Sequence, residues 1–349
     1  MEHRAWKSVR FEYPRTVPTM LQPEETRYLF WLGKSVWKGN GLVLEIGPWL
    51  GGSTLCLAAG MRASGCDTSH RLHAVDNFLW REFMTARADL PLQPGQSFEP
   101  AFLKNLSEYV DIVVTHARAL PDEVIEGDQE ATAKRTAAEP EVPVLDVAPG
   151  EGPIEILFID GAKSWRGMAH LLRVVRERIV PGRTLLVCQD FKYWGTYWVP
   201  MMMMRLREYV EPVHNVLGAT TVTFRLTKEI PRSVLDAFED HVARIATQDG
   251  LALINAARKL LTRDGDPLGA ANLSLCRVSF LAHQGKTDAA AVAFKQAQWI
   301  WPAFFDASQL ERARTYLKEE KGIAVYRPVR FPIEKKSLGA IRALLGRRG

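Results

Sequence analysis

The residues able to do chemistry in this chain stand at the ends of short apolar runs. Asp76 follows Leu72 to Val75, Asp160 follows Ile154 to Ile159, and Asp190 follows a run from Thr184 to Cys188 and Gln189. If these runs are strands of one doubly wound sheet, their carboxyl ends share a ligand-binding edge. An acid there can accept from both hydroxyls of a ribose, which is the reading for Asp76. Two acids on neighbouring strand ends, Asp160 and Asp190, can hold a hard divalent cation of the Mg²⁺ type through oxygen ligands. Lys163 and His170 follow Asp160 closely, and either could take a proton from a reacting group if held neutral.

One stretch must position these residues. Gly41 to Met61 reads GLVLEIGPWLGGSTLCLAAGM. Leu42, Val43, Leu44 and Ile46 suit a strand buried on both faces. Gly47, Gly51 and Gly52 form a turn around Pro48 and Trp49, and Ser53 and Thr54 can open a helix. A strand, a glycine turn and a helix bring backbone N–H groups close to a nucleotide-like ligand. Three residues separate Gly47 from Gly51, so the G-x-G-x-x-G spacing of a dinucleotide site is absent. An acid, Glu45, stands two residues before the first glycine.

The acid-x-Gly-x-x-x-Gly-Gly-Ser-Thr pattern resembles the first motif of class I S-adenosylmethionine-dependent methyltransferases. In the form EIGPWLGGST it is most similar to the macrocin-type sugar O-methyltransferases (the methyltransferase 24-like branch). The resemblance implies a doubly wound, mostly parallel, seven-stranded α/β sheet that ends in a hairpin, Val213 to Leu217 and Thr221 to Leu226. It implies that Glu45, Gly47, Trp49, Gly51, Gly52 and Ser53 cradle the methionine part of S-adenosylmethionine. Asp76, Asn77 and Phe78 would meet its ribose and adenine. His116 and Ala117, after a third strand at Val110 to Thr115, would lie beside the adenine, with Asp160 nearby.

FIDGAKSW and LLVCQDF are the second place where the resemblance is specific. Lys163, three residues after Asp160, resembles the general base of catechol-type O-methyltransferases. There are departures: the macrocin-type pattern has a His near Lys163 and an acid where Gln189 stands, and catechol-type enzymes have Asn where Phe191 stands. Two routes therefore stay open. Asp160 and Asp190 hold a metal that lowers the acceptor's pKa, or transfer is metal-free with His170, Lys163 or Asp160 as base. Tyr193, Trp194, Tyr197 and Trp198, directly after the fifth strand, suggest a wall for a small-molecule, sugar-like or apolar acceptor. The Met201 to Met204 run reads as a packed helix face.

The remainder bounds the setting. The chain has 349 residues, 47% apolar and 24% charged, enough for a full core. No apolar run is long enough for a membrane span, and the first residues lack the apolar core of a signal peptide. Cys56, Cys66, Cys188 and Cys276 have no metal-ligand spacing, so reduced thiols in a cytoplasmic protein are expected. The net charge of +5 is uneven: residues 321–349 hold eight Lys or Arg and one Glu, leaving −2 for the rest. That concentration in a tail argues against a nucleic-acid groove across the fold.

The expected organisation is an N-terminal arm and lid helix (1–35), a cofactor-binding domain (36–228), a helical domain (229–325) and a basic tail (326–349). Residues 126–152, rich in Glu, Ala, Pro and Gly, read as a surface insertion. In the helical domain, Gly285, Ala290, Phe294, Ala297 and Pro302 fall on the small and aromatic positions of a single tetratricopeptide-like helix pair. One such pair cannot bury its own faces. It must pack on the rest of the chain, on a partner, or on a second copy in a homo-oligomer. Two rival readings stay open: a nicotinamide-dependent oxidoreductase, and a catalytically silent scaffold that recruits partners through the helices.

Overall fold

The computed structural model describes residues 1–121, 141–162, 164–300, 305 and 307–323. Its centre is a seven-stranded sheet. The strands are β1 (Leu42–Ile46), β2 (Leu72–Asp76), β3 (Val113–Ala117), β4 (Ile154–Ile159), β5 (Leu185–Cys188), β6 (Val210–Asn215) and β7 (Val222–Leu226). Their order across the sheet is β3-β2-β1-β4-β5-β7-β6. The first five are parallel, and β7 runs antiparallel to both β5 and β6. The order reverses between β1 and β4, so the crevice at their carboxyl ends is where an open α/β sheet binds its ligand.

Strand periodicity divides the core. Leu44 and Ile46 of β1 pack into one layer with Leu157, Ile159 and Leu186, while Val43 packs into the other with Ile156 and Phe158. All five residues of β1 are buried, as a central parallel strand covered on both faces requires. Helices α1 (Pro23–Trp31) and α2 (Gly52–Arg62) cover one face, and α1 continues into a wider turn, Leu32–Val36. On the other face lie α3 (Trp165–Val175) and α4 (Trp198–Arg205). Met201 to Met204 are all buried there, in the same core as the C-terminal helices. Unbranched, polarisable methionine fills the irregular gap between two packed layers.

Three later helices, α5 (Thr247–Arg263), α6 (Pro267–His283) and α7 (Thr287–Ile300), continue that core. Ala290, Phe294 and Ala297 of α7 are buried, and Gly285 turns the chain at φ +69° before it. Pro302 lies outside the described residues. A buried ion pair fastens α6 to the sheet: Lys192 Nζ donates to Asp266 Oδ2 at 2.9 Å, to Asn215 Oδ1 at 2.8 Å and to the Val216 carbonyl at 2.8 Å. Asp266 also caps α6, accepting from the Gly269 amide at 2.8 Å.

Two expectations need correction. The third strand begins at Val113, because Val110 is exposed and the chain first makes a short helical turn at Ser107–Tyr109. The expected surface insertion also packs over its last part. Residues 122–140 lie outside the described residues, but Leu145 and Ala148 are buried in the core. Arg178 holds that segment down, donating to the carbonyls of Ala148, Pro149, Gly150 and Gly152. The four cysteines are unpaired by disulfides, with Cys56, Cys188 and Cys276 buried. Among the described residues no helix is long and apolar enough to cross a membrane.

Candidate active site

The carboxyl ends of β1, β2, β4 and β5 open into a cleft of about 680 Å³. The turn after β1 forms its floor. Gly47 adopts φ +84° and Gly51 φ +90°, conformations that side chains with a Cβ resist. A Cβ on Gly47 would stand 2.4 Å from the Gly161 nitrogen, so the ends of β1 and β4 approach through two glycines. Their contact is closed by the Asp160 and Gly161 amides, which both donate to the Ile46 carbonyl, at 3.0 and 2.6 Å. The first amides of α2, from Gly52 onward, have no partner within the helix and suit an anionic or carbonyl group.

Asp76, at the adjoining end of β2, lines the same cleft. Its Oδ1 accepts from the Phe78 amide at 2.9 Å. Burial pushes its carboxyl up to about 6, against the Phe78 and Trp49 amides and the nearby Arg81 guanidinium, which favour the charged form. A half-buried acid so poised gains from donors that a ribose diol can supply. Glu45 is different. It is fully buried behind the turn and accepts a hydrogen bond from the Ser53 hydroxyl. Burial raises it to about 7, opposed by the hydroxyls of Ser53 and Thr54 and reinforced by Asp160 and Asp76.

The cleft brings together Gly47, Trp49, Gly52, Ser53, Asp76, Asn77, Asp160, Asp190, Tyr193 and Trp194. Other anticipated residues stand elsewhere. Glu45 and Gly51 support the turn from behind, with Gly51 facing Phe102 and Leu106. Phe78 is buried at φ +52° with its ring packed edge-on against Phe98 and Phe102. His116 lies on β3 with its Nε2 2.8 Å from His73 Nδ1, the two rings stacked 5.1 Å apart. Burial holds both imidazoles below their usual range. Neither His116 nor Ala117 lines the cleft; the chain reaches it one residue later, at Arg118 to Pro121.

His170 stands apart from the cleft. It lies on α3 with Nε2–H donating to the Leu145 carbonyl at 2.6 Å, outside the cleft lining. Tyr197 and Trp198 also stand apart from the cleft lining. The Tyr197 ring is buried against Phe280 and His283 of α6, and Trp198 Nε1 donates to the Ala162 carbonyl at 3.0 Å. The chain turns helical at Trp198, so the second pair of aromatics leaves the cleft edge on which Tyr193 and Trp194 stay. Lys163 lies outside the described residues.

Several lining residues carried no signal in the sequence. Thr19 to Gln22 of the N-terminal arm close one side. Glu25 fixes α1 there: its Oε2 accepts from the Gln22 amide and its Oε1 from the Thr221 hydroxyl at 2.6 Å. Gln189 is 8% exposed, and its amide donates to the Thr220 hydroxyl at 3.3 Å. Its Oε1 is buried with no hydrogen-bond partner among the described residues. Asn272 and Arg312 enter the cleft from the helical region. Sequence spacing cannot report such long-range convergence.

For a metal, Asp160 and Asp190 do line one cleft. Among the described residues, however, no group of three His, Cys, Asp or Glu side chains gathers that could hold an ion. The donor set is thus short of a protein metal cage. For S-adenosylmethionine the fit is better, since the glycine turn and the half-buried acid Asp76 line the same cleft.

Comparison with known proteins bears on the same segment. No curated protein matches this sequence. Among solved structures, an O-methyltransferase from Bacillus cereus in complex with SAH is similar at 14% identity, over 61% of this chain and 85% of that one, with a TM-score of 0.37. The SAH-bound methyltransferase PaMTH1 from Podospora anserina aligns at 13% identity over 58% and 78%, TM-score 0.35. An rRNA methylase from Streptococcus thermophilus aligns at 12% identity over 60% and 99%, TM-score 0.31. Residues 44–191 match the family Methyltransf_24, described as a methyltransferase domain. The matched segment, from within β1 to just past the end of β5, is thus similar to a methyltransferase domain over less than half of the chain, and the sheet order above is that of a Rossmann-like methyltransferase fold.

Proposed function

We propose that this protein transfers the methyl group of S-adenosylmethionine to a hydroxyl of a small-molecule acceptor. The observation that carries the reading is that the glycine turn from Gly47 to Ser53 and the half-buried carboxyl of Asp76, whose charged form the Phe78 and Trp49 amides favour, line one cleft. Gly47, Trp49, Gly52 and Ser53 would hold the methionine part of the cofactor, and Asp76 the ribose. Bound there, the cofactor supplies an electrophilic methyl on a sulfonium. The chain's own part is to place the acceptor oxygen in line with that methyl, which alone can lower the barrier by roughly 7–11 kcal/mol.

Asp160 and Asp190 line the cleft on the acceptor side, and Tyr193 and Trp194 flank it. Either carboxylate could accept the hydroxyl proton. Such a step contributes about 10²–10⁴-fold. Gln189 Oε1, buried and unpartnered among the described residues, suits the role of orienting an acceptor hydroxyl.

The test has two parts. Calorimetric titration with S-adenosylmethionine and S-adenosylhomocysteine should give a single site, and Asp76→Ala should remove it. A panel of hydroxylated acceptors, followed by S-adenosylhomocysteine release, should then show turnover that Asp190→Ala lowers without changing cofactor affinity. Absence of binding would end the methyltransferase reading. Binding without turnover across the panel would favour the scaffold alternative.

A further inference from the structure

The helical region reaches the cleft at its acceptor end. Asn272 and Arg312 line the same cleft as Asp160 and Asp190. Their placement is set by contacts one helical turn further on. Cys276, four residues after Asn272 on α6, packs its thiol on the Tyr193 carbonyl at 3.6 Å. Tyr316, four residues after Arg312, meets Trp194 edge-on with ring centroids 5.4 Å apart. Residues four apart share one helix face, so Asn272 is carried beside Tyr193, and Arg312 beside Trp194. The buried Lys192–Asp266 pair, two residues from Asp190, holds the start of α6 in register with the end of β5.

The chemistry of these two side chains is specific. Asn272 is partly buried and offers both a donor and an acceptor. Arg312 is exposed, and no acidic partner for it occurs among the described residues. A guanidinium at a cleft wall suits planar two-point recognition of a carboxylate or phosphate.

Resting on the reading of the cleft as a methyltransferase site, we infer that the helical region is its acceptor-recognition wall. The acceptor is a hydroxylated molecule bearing an anionic group that pairs with Arg312. Asn272 and Arg312 are specificity residues; the methyl-transfer chemistry itself stays with the sheet ends.

The test uses the full chain loaded with S-adenosylhomocysteine. It is titrated by calorimetry with 3,4-dihydroxybenzoate and, separately, with the corresponding neutral amide. The acid is expected to bind at least tenfold more tightly than the amide. Arg312→Gln should erase that ratio, and Arg312→Lys should keep part of it. Affinity for S-adenosylhomocysteine should stay within twofold in both variants, which separates acceptor recognition from cofactor binding and from misfolding. Equal binding of acid and amide, binding of neither, or a preference that survives Arg312→Gln would overturn the proposal. Failure of the wild-type chain to bind S-adenosylhomocysteine would instead remove the cofactor reading, and the acceptor wall with it.

Discussion

Gly47 and Gly161 meet back to back, so closely that neither has room for a methyl group. A Cβ on Gly161 would lie 2.8 Å from both the nitrogen and the Cα of Gly47, and one on Gly47 would lie 2.5 Å from the Cα of Gly161. The obstacles are backbone atoms of two central parallel strands, which cannot swing aside as a side chain would.

Gly161→Ala should therefore destabilise the fold by about 1–3 kcal/mol. Gly47→Ala should cost at least as much, since Gly47 also sits at φ +84°. Urea denaturation gives the first quantity. Titration with S-adenosylhomocysteine should show that whichever variant stays folded has lost the cofactor site. Wild-type affinity in Gly47→Ala would mean that the cradle does not contact the ligand.

Asp76 should make cofactor binding dependent on pH. Its carboxyl titrates near 6 in the free protein, and ribose hydroxyls donate to the ionised form. Affinity should fall as pH drops below about 6, by up to tenfold per unit. Asp76→Asn should bind weakly and without that slope. A wild-type slope that persists in Asp76→Asn would place the titrating group elsewhere.

Glu45 should make stability dependent on pH in the opposite sense. Its folded value, about 7, lies above its ordinary 4.5, so the folded protein holds the proton more tightly than the unfolded chain. That contribution is complete below about pH 4.5 and is lost as pH rises through 7. Its full size is on the order of 3 kcal/mol. Glu45→Gln keeps an acceptor for the Ser53 hydroxyl and should flatten this dependence, gaining on the wild type at pH 8. Parallel pH-stability curves for the two proteins would remove Glu45 as the source.

The Lys192–Asp266 pair should be worth more as a junction than as a charge interaction. Both partners are almost wholly inaccessible, at 1% and 4% side-chain exposure. Asp266→Asn keeps a cap for α6 but leaves Lys192 uncompensated, and should cost about 3–5 kcal/mol. Lys192→Met with Asp266→Asn should recover much of that loss, as a double-mutant cycle would report. A cost below 1 kcal/mol for Asp266→Asn would show that the helical region is not anchored here.

Much of the fold was legible before any coordinates, and for a local reason. The apolar runs of β1, β4 and β5 are short, β-branched or leucine-rich, and punctuated by Gly and Asp, so their identity and limits are written within a few residues. The same holds for the turn at Gly47 to Ser53 and for acids that stand at strand ends. Aromatic and histidine roles were less legible. Phe78, His116, Tyr197 and Trp198 stand beside cleft residues in the chain, yet a single turn of backbone sends each of them into the core or away from the cleft.

From its sequence alone this chain determines a parallel sheet, a glycine cradle and a set of carboxylates at one edge, because local periodicity and backbone permissiveness suffice to specify them. The tertiary structure alone decided that Asn272 and Arg312, more than 80 residues beyond Asp190, come to share that edge. Their approach depends on a buried ion pair, an edge-on Trp194–Tyr316 contact and a common core, all of which join segments far apart in the chain. Contacts of that range leave no periodic trace in the residues that make them.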